Sequence, residues 1–399
     1  MRPHRVMRFV PPIVPASIRA LLAVLAVSRA AVAQPASARE PLASLRLGPP
    51  TLTVADPFSE VVAVAEFPDG RFLVADRRDL SYYLVERSGS EMTVLGRNGS
   101  GPNEYVNAFG IVRLPGDTLA LFGGNQRYLR VTPTAQFADA LPIPVSILRG
   151  GGIAPAVGVD ARGGYYWSGD AVGANASGFK RNQRQNIRRW PPPSERLDTV
   201  ASIVDHAEMM HEKSFHPYAE RDAWVVAPDG RIGVLSARDY RLRWYQAGKV
   251  IAEGPAINFV PIPITAADRD AFRAERMRQP ASGMRSTAPS AKAEPSPAMR
   301  KRIEEAFADE VFPSHKPPFI ENGLLRAQNG ELWVQRSAAF GQRVTRIDVL
   351  RPSGARKATL DLPPGRRLVA VDRLGVYLVR VDDEGLEWLE RYDWPLAAP

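Results

Sequence analysis

The sequence predicts an all-β fold, a six-bladed β-propeller of four-stranded antiparallel blades, on three observations. One plan recurs along the chain: an alternating strand, a Gly-containing turn, a strand rich in β-branched or aromatic residues, then a further strand, as in "VVAVAEFPDGRFLVADRRDLSYYLVERSG" and "GLLRAQNGELWVQRSAAFGQRVTRIDVLRPSG". The turn glycines of the copies, Gly70, Gly116, Gly163, Gly230, Gly330 and Gly375, are spaced by 46, 47, 67, 100 and 45 residues. Each copy holds about four short strands, too few to bury both faces alone, and units of this length bury them against their neighbours around a ring. Six copies predict six blades.

The elements follow in chain order. Residues 1–33 carry Arg2, Arg5 and Arg8, the apolar stretch "ALLAVLAVS" and an Ala31-Val32-Ala33 site, the pattern of a secretory signal peptide. The apolar stretch is far below the ~20 residues that span a bilayer, and no later one reaches that length, so no membrane span is expected. Residues 34–399 are read as a single propeller domain, exported to the periplasm or the extracellular space. "SLRLGPPTLTVAD" alternates Leu45, Leu47, Leu52 and Val54 outside any unit, whereas the last unit supplies only three strands before "DWPLAAP". The N-terminal segment is therefore expected to donate the missing outer strand and close the ring. The two long intervals are read as insertions at about 170–196 and 265–320. The second contains "AADRDAFRAERMRQ" and "PAMRKRIEEAFADEVF", which suit short helices, joined by a linker centred on Ser282 to Pro297.

Between the first two units lies "VLGRNGSGPNEY", with Gly96, Gly99 and Gly101. A phosphate loop would place a helix after it and, in the Walker form, a Lys before Ser or Thr. Here Pro102 follows, no Lys is present, and "GIVRLPGDTLALFG" reads as strand, turn, strand. The stretch is read as a connector between blades, with Tyr105 packed in the groove between them.

"LGRNGSGPNEY" followed by "GIVRLPGDTLALFG" resembles the G-R-x-G-x-G-P-x-E-[FY] segment of NHL-repeat and related TolB-like six-bladed β-propeller proteins, and "PDGRFLVAD" is similar to their turn-and-strand core. Asn103 stands where a second Gly is usual, and the third unit departs furthest from the pattern. The resemblance implies the fold over most of residues 34–399. It implies several activities equally, since such propellers include protein- and RNA-binding modules, lactonase-type hydrolases and lyases.

Composition narrows these classes. Removing residues 1–33 takes five arginines and no acid, lowering the formal charge from +9 to +4, so basicity gives no argument for nucleic acid. The chain has no Cys, which excludes disulfides, thiolate metal sites and a cysteine nucleophile. No Gly-x-Ser-x-Gly or His-x-x-x-His pattern appears. His206, His211 and His216 are spaced by five, which puts them on no single helix or strand face, so they are read as a loop. The basic runs Lys180 to Arg189 and Arg300 to Arg302 are read as solvated insertion surface, and no nucleic-acid partner is expected.

Residues just ahead of the inner strands are the candidates for ligand contact at the channel rim: Glu60, Asn107, Arg221, Asp222 and Glu321, with Asn322 beside them. The expected function is a non-catalytic, monomeric binding module for a protein, peptide or glycan, with no cofactor. The alternative is a hydrolase or lyase of the lactonase-like type, for which Glu, Asn and Asp at the channel would hold a hard divalent cation.

Overall fold

The structure, a computed structural model, describes residues 42–123, 126–147, 156–168, 184–204, 217–278 and 312–397. The expected leader and cleavage site, the three histidines, the expected Ser282 to Pro297 linker and the run Arg300 to Arg302 lie outside these residues.

Six antiparallel sheets form the blades of a propeller. From the channel outward the first is Val61–Glu66, Phe72–Asp76, Ser81–Val85 and Met92–Val94. The second is Ile111–Arg113, Leu119–Phe122, Arg127–Val131 and Leu141–Pro142. The third is Gly158–Val159, Tyr165–Ser168, Arg184–Trp190 and Asp198–Val204. The fourth is Ala223–Val226, Ile232–Ser236, Arg241–Gln246 and Lys249–Glu253. The fifth is Phe319–Arg326, Leu332–Arg336, Arg346–Leu350 and Arg356–Asp361. The sixth takes Arg366–Asp372, Gly375–Val381 and Glu387–Tyr392 from the C-terminal end of the chain.

Second strands read as unbroken apolar runs because both faces are covered. In Phe72–Asp76 every residue is buried. Phe72 and Val74 pack toward the sixth blade beside Tyr377 and Val379, whereas Leu73 and Ala75 pack toward the second beside Leu119 and Leu121. The alternation of period two thus divides one strand between two inter-blade cores.

The ring closes through the N-terminal segment, as the missing strand predicts. Leu52–Thr53 pairs with Glu390 and Arg391 as the outer strand of the sixth blade. A second closure has no counterpart in the sequence reading. Ala43–Arg46 runs parallel to Arg356–Asp361 of the fifth blade and receives Leu396–Ala397 on its free side, giving that sheet six strands.

The expected insertion at 170–196 is corrected by the third blade, in which Arg184–Trp190 and Asp198–Val204 are its outer two strands. The cations hid this strand. Ile187 and Trp190 are its buried residues, while Arg189 is neutralised by Asp160 at 2.9 Å and Arg188 donates to Thr199. The insertion ahead of the fifth blade holds a helix, Ala266–Arg278, and a small ribbon pairing Ile262–Pro263 with His315–Lys316. Thr265 and Asp268 cap the helix reciprocally, and Asp268 also meets Lys316 at 2.6 Å in a buried pair. The inner strand starts at Phe319, so its first two residues lie inside the stretch expected as insertion, which was read to end at Ile320. Among the described residues no helix is long and apolar enough to cross a membrane.

Candidate binding site at the channel mouth

The inner strands surround a cavity of about 1300 Å³. Its wider chemistry lies where those strands begin. There Arg77 binds Glu60, Arg221 pairs with Glu321 across the fourth and fifth blades, and Arg367 meets Glu387 at 2.6 Å. Between these pairs stand exposed apolar side chains, Phe109 (40% exposed), Val157 (50%) and Ile320 (37%). The mouth is a belt of neutralised pairs interleaved with apolar contacts.

The belt depends on an irregularity in the fifth blade. Phe319 pairs with Arg336 and Leu324 with Val334, so four residues, Ile320 to Gly323, span a step that Gln335 alone spans opposite. This enlarged bulge places Ile320, Glu321 and Asn322 at the cavity. Asn322 is held at φ 58°. Gly323 is the residue the bulge closes on: a Cβ there would lie 2.7 Å from Ile320 Cγ1 and 2.9 Å from its carbonyl oxygen. Backbone in this region costs on the order of 1 kcal/mol or more for a non-glycine residue and here secures exposed groups, not core packing.

Four of the five sequence candidates line the cavity, and the structure gives them different parts. Glu321 reaches the rim on the bulge and engages Arg221. Burial pushes the Glu60 carboxyl up, but the hydrogen bond and charge of Arg77, aided by Arg78 and Arg367, outweigh it and leave the pKa below the usual value. Asp222 is a brace: its two oxygens accept the Val204 and Ala237 amides at 2.9 and 3.0 Å. Asn107 is half-buried and does not line the cavity. Among the described residues no three His, Asp or Glu side chains converge as a metal site would require. Phe109, Val157, Ile320 and the Arg367–Glu387 pair were missed; the single local signal was Glu-Asn-Gly at 321–323 inside an otherwise regular strand.

At the opposite end the inner strands finish in a closed loop of polar contacts. Arg113 binds Asp372 at 2.7 Å, Asp372 accepts from Gln328 at 2.5 Å, Gln328 accepts from Arg373 at 3.4 Å, and Arg373 returns to Asp117, which lies 3.7 Å from Arg113. These residues come from the second, fifth and sixth blades, so the loop ties together parts of the ring distant in sequence.

The glycine-rich connector also finds its partner. Arg97–Asn98 and Glu104–Tyr105 form a small parallel ribbon, and the Glu104 carboxylate accepts the Gly101 amide at 2.6 Å and Arg97 Nε at 2.5 Å. Those bonds, the Gly101 amide first, hold the Glu104 pKa below its usual value. Tyr105 is buried between the first two blades and donates to the Leu95 carbonyl. The loop does hold an anion, which is the chain's own.

No known protein family and no curated protein matches the sequence. Solved structures with a similar course include an exported-protein candidate from Bacteroides fragilis (11% identity, TM-score 0.46, covering 90% of this chain and 95% of the other). A member of the DUF4221 family from Bacteroides vulgatus is similar at 8% identity and TM-score 0.45, over 90% and 99% of the two chains. The calcium-binding protein regucalcin from Agrobacterium tumefaciens is similar at 10% and 0.40, over 89% and 98%. At these values the likeness says nothing about activity.

Proposed function

We propose that the chain is an exported, monomeric, divergent NHL-type propeller, cleaved after Ala33, that binds a peptide or glycan segment of a partner at the channel mouth without transforming it. The observation that carries this reading is the bulge at Ile320 to Gly323, where backbone strain places an apolar and an ionic group together on the rim. A solvent-exposed arginine–glutamate pair contributes at most about 1 kcal/mol to stability, so the partly exposed Arg77–Glu60 and Arg221–Glu321 pairs at the opening are better explained by recognition than by folding, whereas Glu387 is buried and also braces the Val61 amide. Each cation is matched by an acid, which favours a ligand with both donors and acceptors over a polyanion.

Peptide and glycan arrays probed with the wild-type protein and with Ile320→Asp and Glu321→Lys test the reading. Signals that fall at least tenfold in both variants, at unchanged melting temperature, are expected; signals indifferent to both would reject the mouth as the site. Turnover of a lactone that depends on added calcium would replace binding by the hydrolase alternative.

A further inference from the structure

A separate cavity of about 280 Å³ lies between the second and third blades, at the side where inner strands end. Leu114, Leu141 and Pro192 form apolar walls, and Thr118, Arg130 and Tyr165 contribute polar groups. It is remote in the chain from the bulge and independent of the channel reading.

Tyr165 opens the second strand of its blade and is only 3% exposed. Its ring is fixed against Tyr128 at 4.5 Å and Trp190 at 5.6 Å between centroids. Buried phenols ordinarily find an acceptor. In this chain Tyr82, Tyr105, Tyr166, Tyr240, Tyr377 and Tyr392 do, and of the buried tyrosines Tyr128 and Tyr165 do not. The Tyr165 hydroxyl has no partner among the described residues, and its residue lines the cavity. Arg130 donates Nε to the Asp139 carbonyl at 2.7 Å, and its two terminal nitrogens have no acceptor among the described residues. Burial pushes the Tyr165 phenol up to about 12, and the Arg130 charge works against that rise. No acid lines the cavity.

We infer that this cavity binds a small organic carboxylate with an apolar body, its carboxylate taken by the Arg130 terminal nitrogens and the Tyr165 hydroxyl and its body by Leu114, Leu141 and Pro192. Two unengaged donors, one of them a planar cationic fork, match a carboxylate. The apolar walls disfavour a hydrated inorganic anion, and the volume admits a small molecule but no polymer.

The test is titration of the whole protein with benzoate, read on the Trp190 indole N–H signal by NMR. That N–H donates to the Ser194 carbonyl at 2.6 Å, in the turn that carries Pro192, so it reports on the cavity wall. Saturable shifts are expected with benzoate, with binding of the neutral isostere benzamide weaker by roughly tenfold or more, as loss of a charged hydrogen bond implies. Arg130→Gln and Tyr165→Phe should each weaken benzoate by a similar factor while leaving the melting temperature in place. Absence of saturation, equal binding of benzamide, equal competition by sulfate, or indifference to both substitutions would each overturn the assignment.

Discussion

Glu66 is fully buried where the last residue of one inner strand meets the sixth blade. Its carboxylate accepts the Tyr377 hydroxyl at 2.7 Å and the Leu374 amide at 2.9 Å, and its own amide donates to Asp372. Burial raises its pKa above the usual carboxylate value, with the nearby Asp372 charge adding to the rise. The folded protein therefore holds this proton more tightly than the unfolded chain. The group's contribution is fully present below the unfolded value of 4.5 and is lost as pH climbs through the folded one. Glu66→Gln keeps an acceptor and removes the titration. Its melting temperature relative to wild type should improve as pH rises from about 4.5 to 8, by on the order of 2 °C. A difference that stays flat with pH in paired melts would show that folding does not raise the Glu66 pKa. Asp160 behaves in the opposite sense. Burial raises its pKa, but the Gly164 amide, Tyr166 and Arg189 together bring it below the usual value, so its contribution is present above 3.8 and fades in acid.

The connector from Arg97 to Tyr105 works as an element because Glu104 folds back into it. Gly99 sits at φ 155°, and a Cβ there would fall 2.1 Å from Glu104 Oε2. Gly99→Ala should cost on the order of 1 kcal/mol from the backbone alone, and more if Glu104 is displaced. A lower denaturant midpoint with no change in nucleotide affinity is expected; an unaltered midpoint would mean that the loop yields freely. This element also marks how far the sequence is legible. Turns such as Pro68-Asp69-Gly70 and the strands beside them declare themselves, since their signals are local: Gly70 and Gly330 adopt φ 90° and 86° in equivalent turns. The bulge was barely legible, because Glu-Asn-Gly is the one local mark in "FIENGLLR" and only the pairing with Leu332–Arg336 shows that four residues face one. The third blade was obscured for a related reason: "RQNIRRW" looks solvated until Asp160 and Thr199 are seen to engage its arginines. Of the rim candidates that line the cavity, Glu60 and Arg221 stand just ahead of inner strands, as the sequence placed them, whereas Glu321 lies inside one, on the bulge. Phe109 and Val157 were missed, as exposed apolar residues carry no mark until neighbouring blades bring them to one opening.

At the scale of the ring, stability hangs on a seam made by both ends of the chain. Leu52 and Val54 enter the core between the sixth and first blades, at 7% and 1% exposed, beside Phe58, Tyr377 and Leu389. Leu45 and Leu47 lie half-buried against the core between the fifth and sixth blades. The C-terminal strand Leu396–Ala397 has Ala43–Arg46 as its pairing partner, so it loses its place with that strand. Two truncations separate these layers. Deleting residues 34–48 removes the parallel strand and frees the C-terminal one, but leaves the sixth blade with four strands. Deleting 34–55 also opens that blade and exposes a core that Leu52 and Val54 had covered, each worth about 1.5–3 kcal/mol when fully buried. Because each blade is packed only by its neighbours, a blade opened at the seam weakens both adjoining cores. The longer deletion should therefore lower the melting temperature well beyond the shorter one and broaden the transition. Thermal melts of the wild type and the two shortened chains decide the matter: equal midpoints for both truncations would place the seam's strength in the parallel strand, and midpoints unchanged from wild type would show that the ring holds without either end.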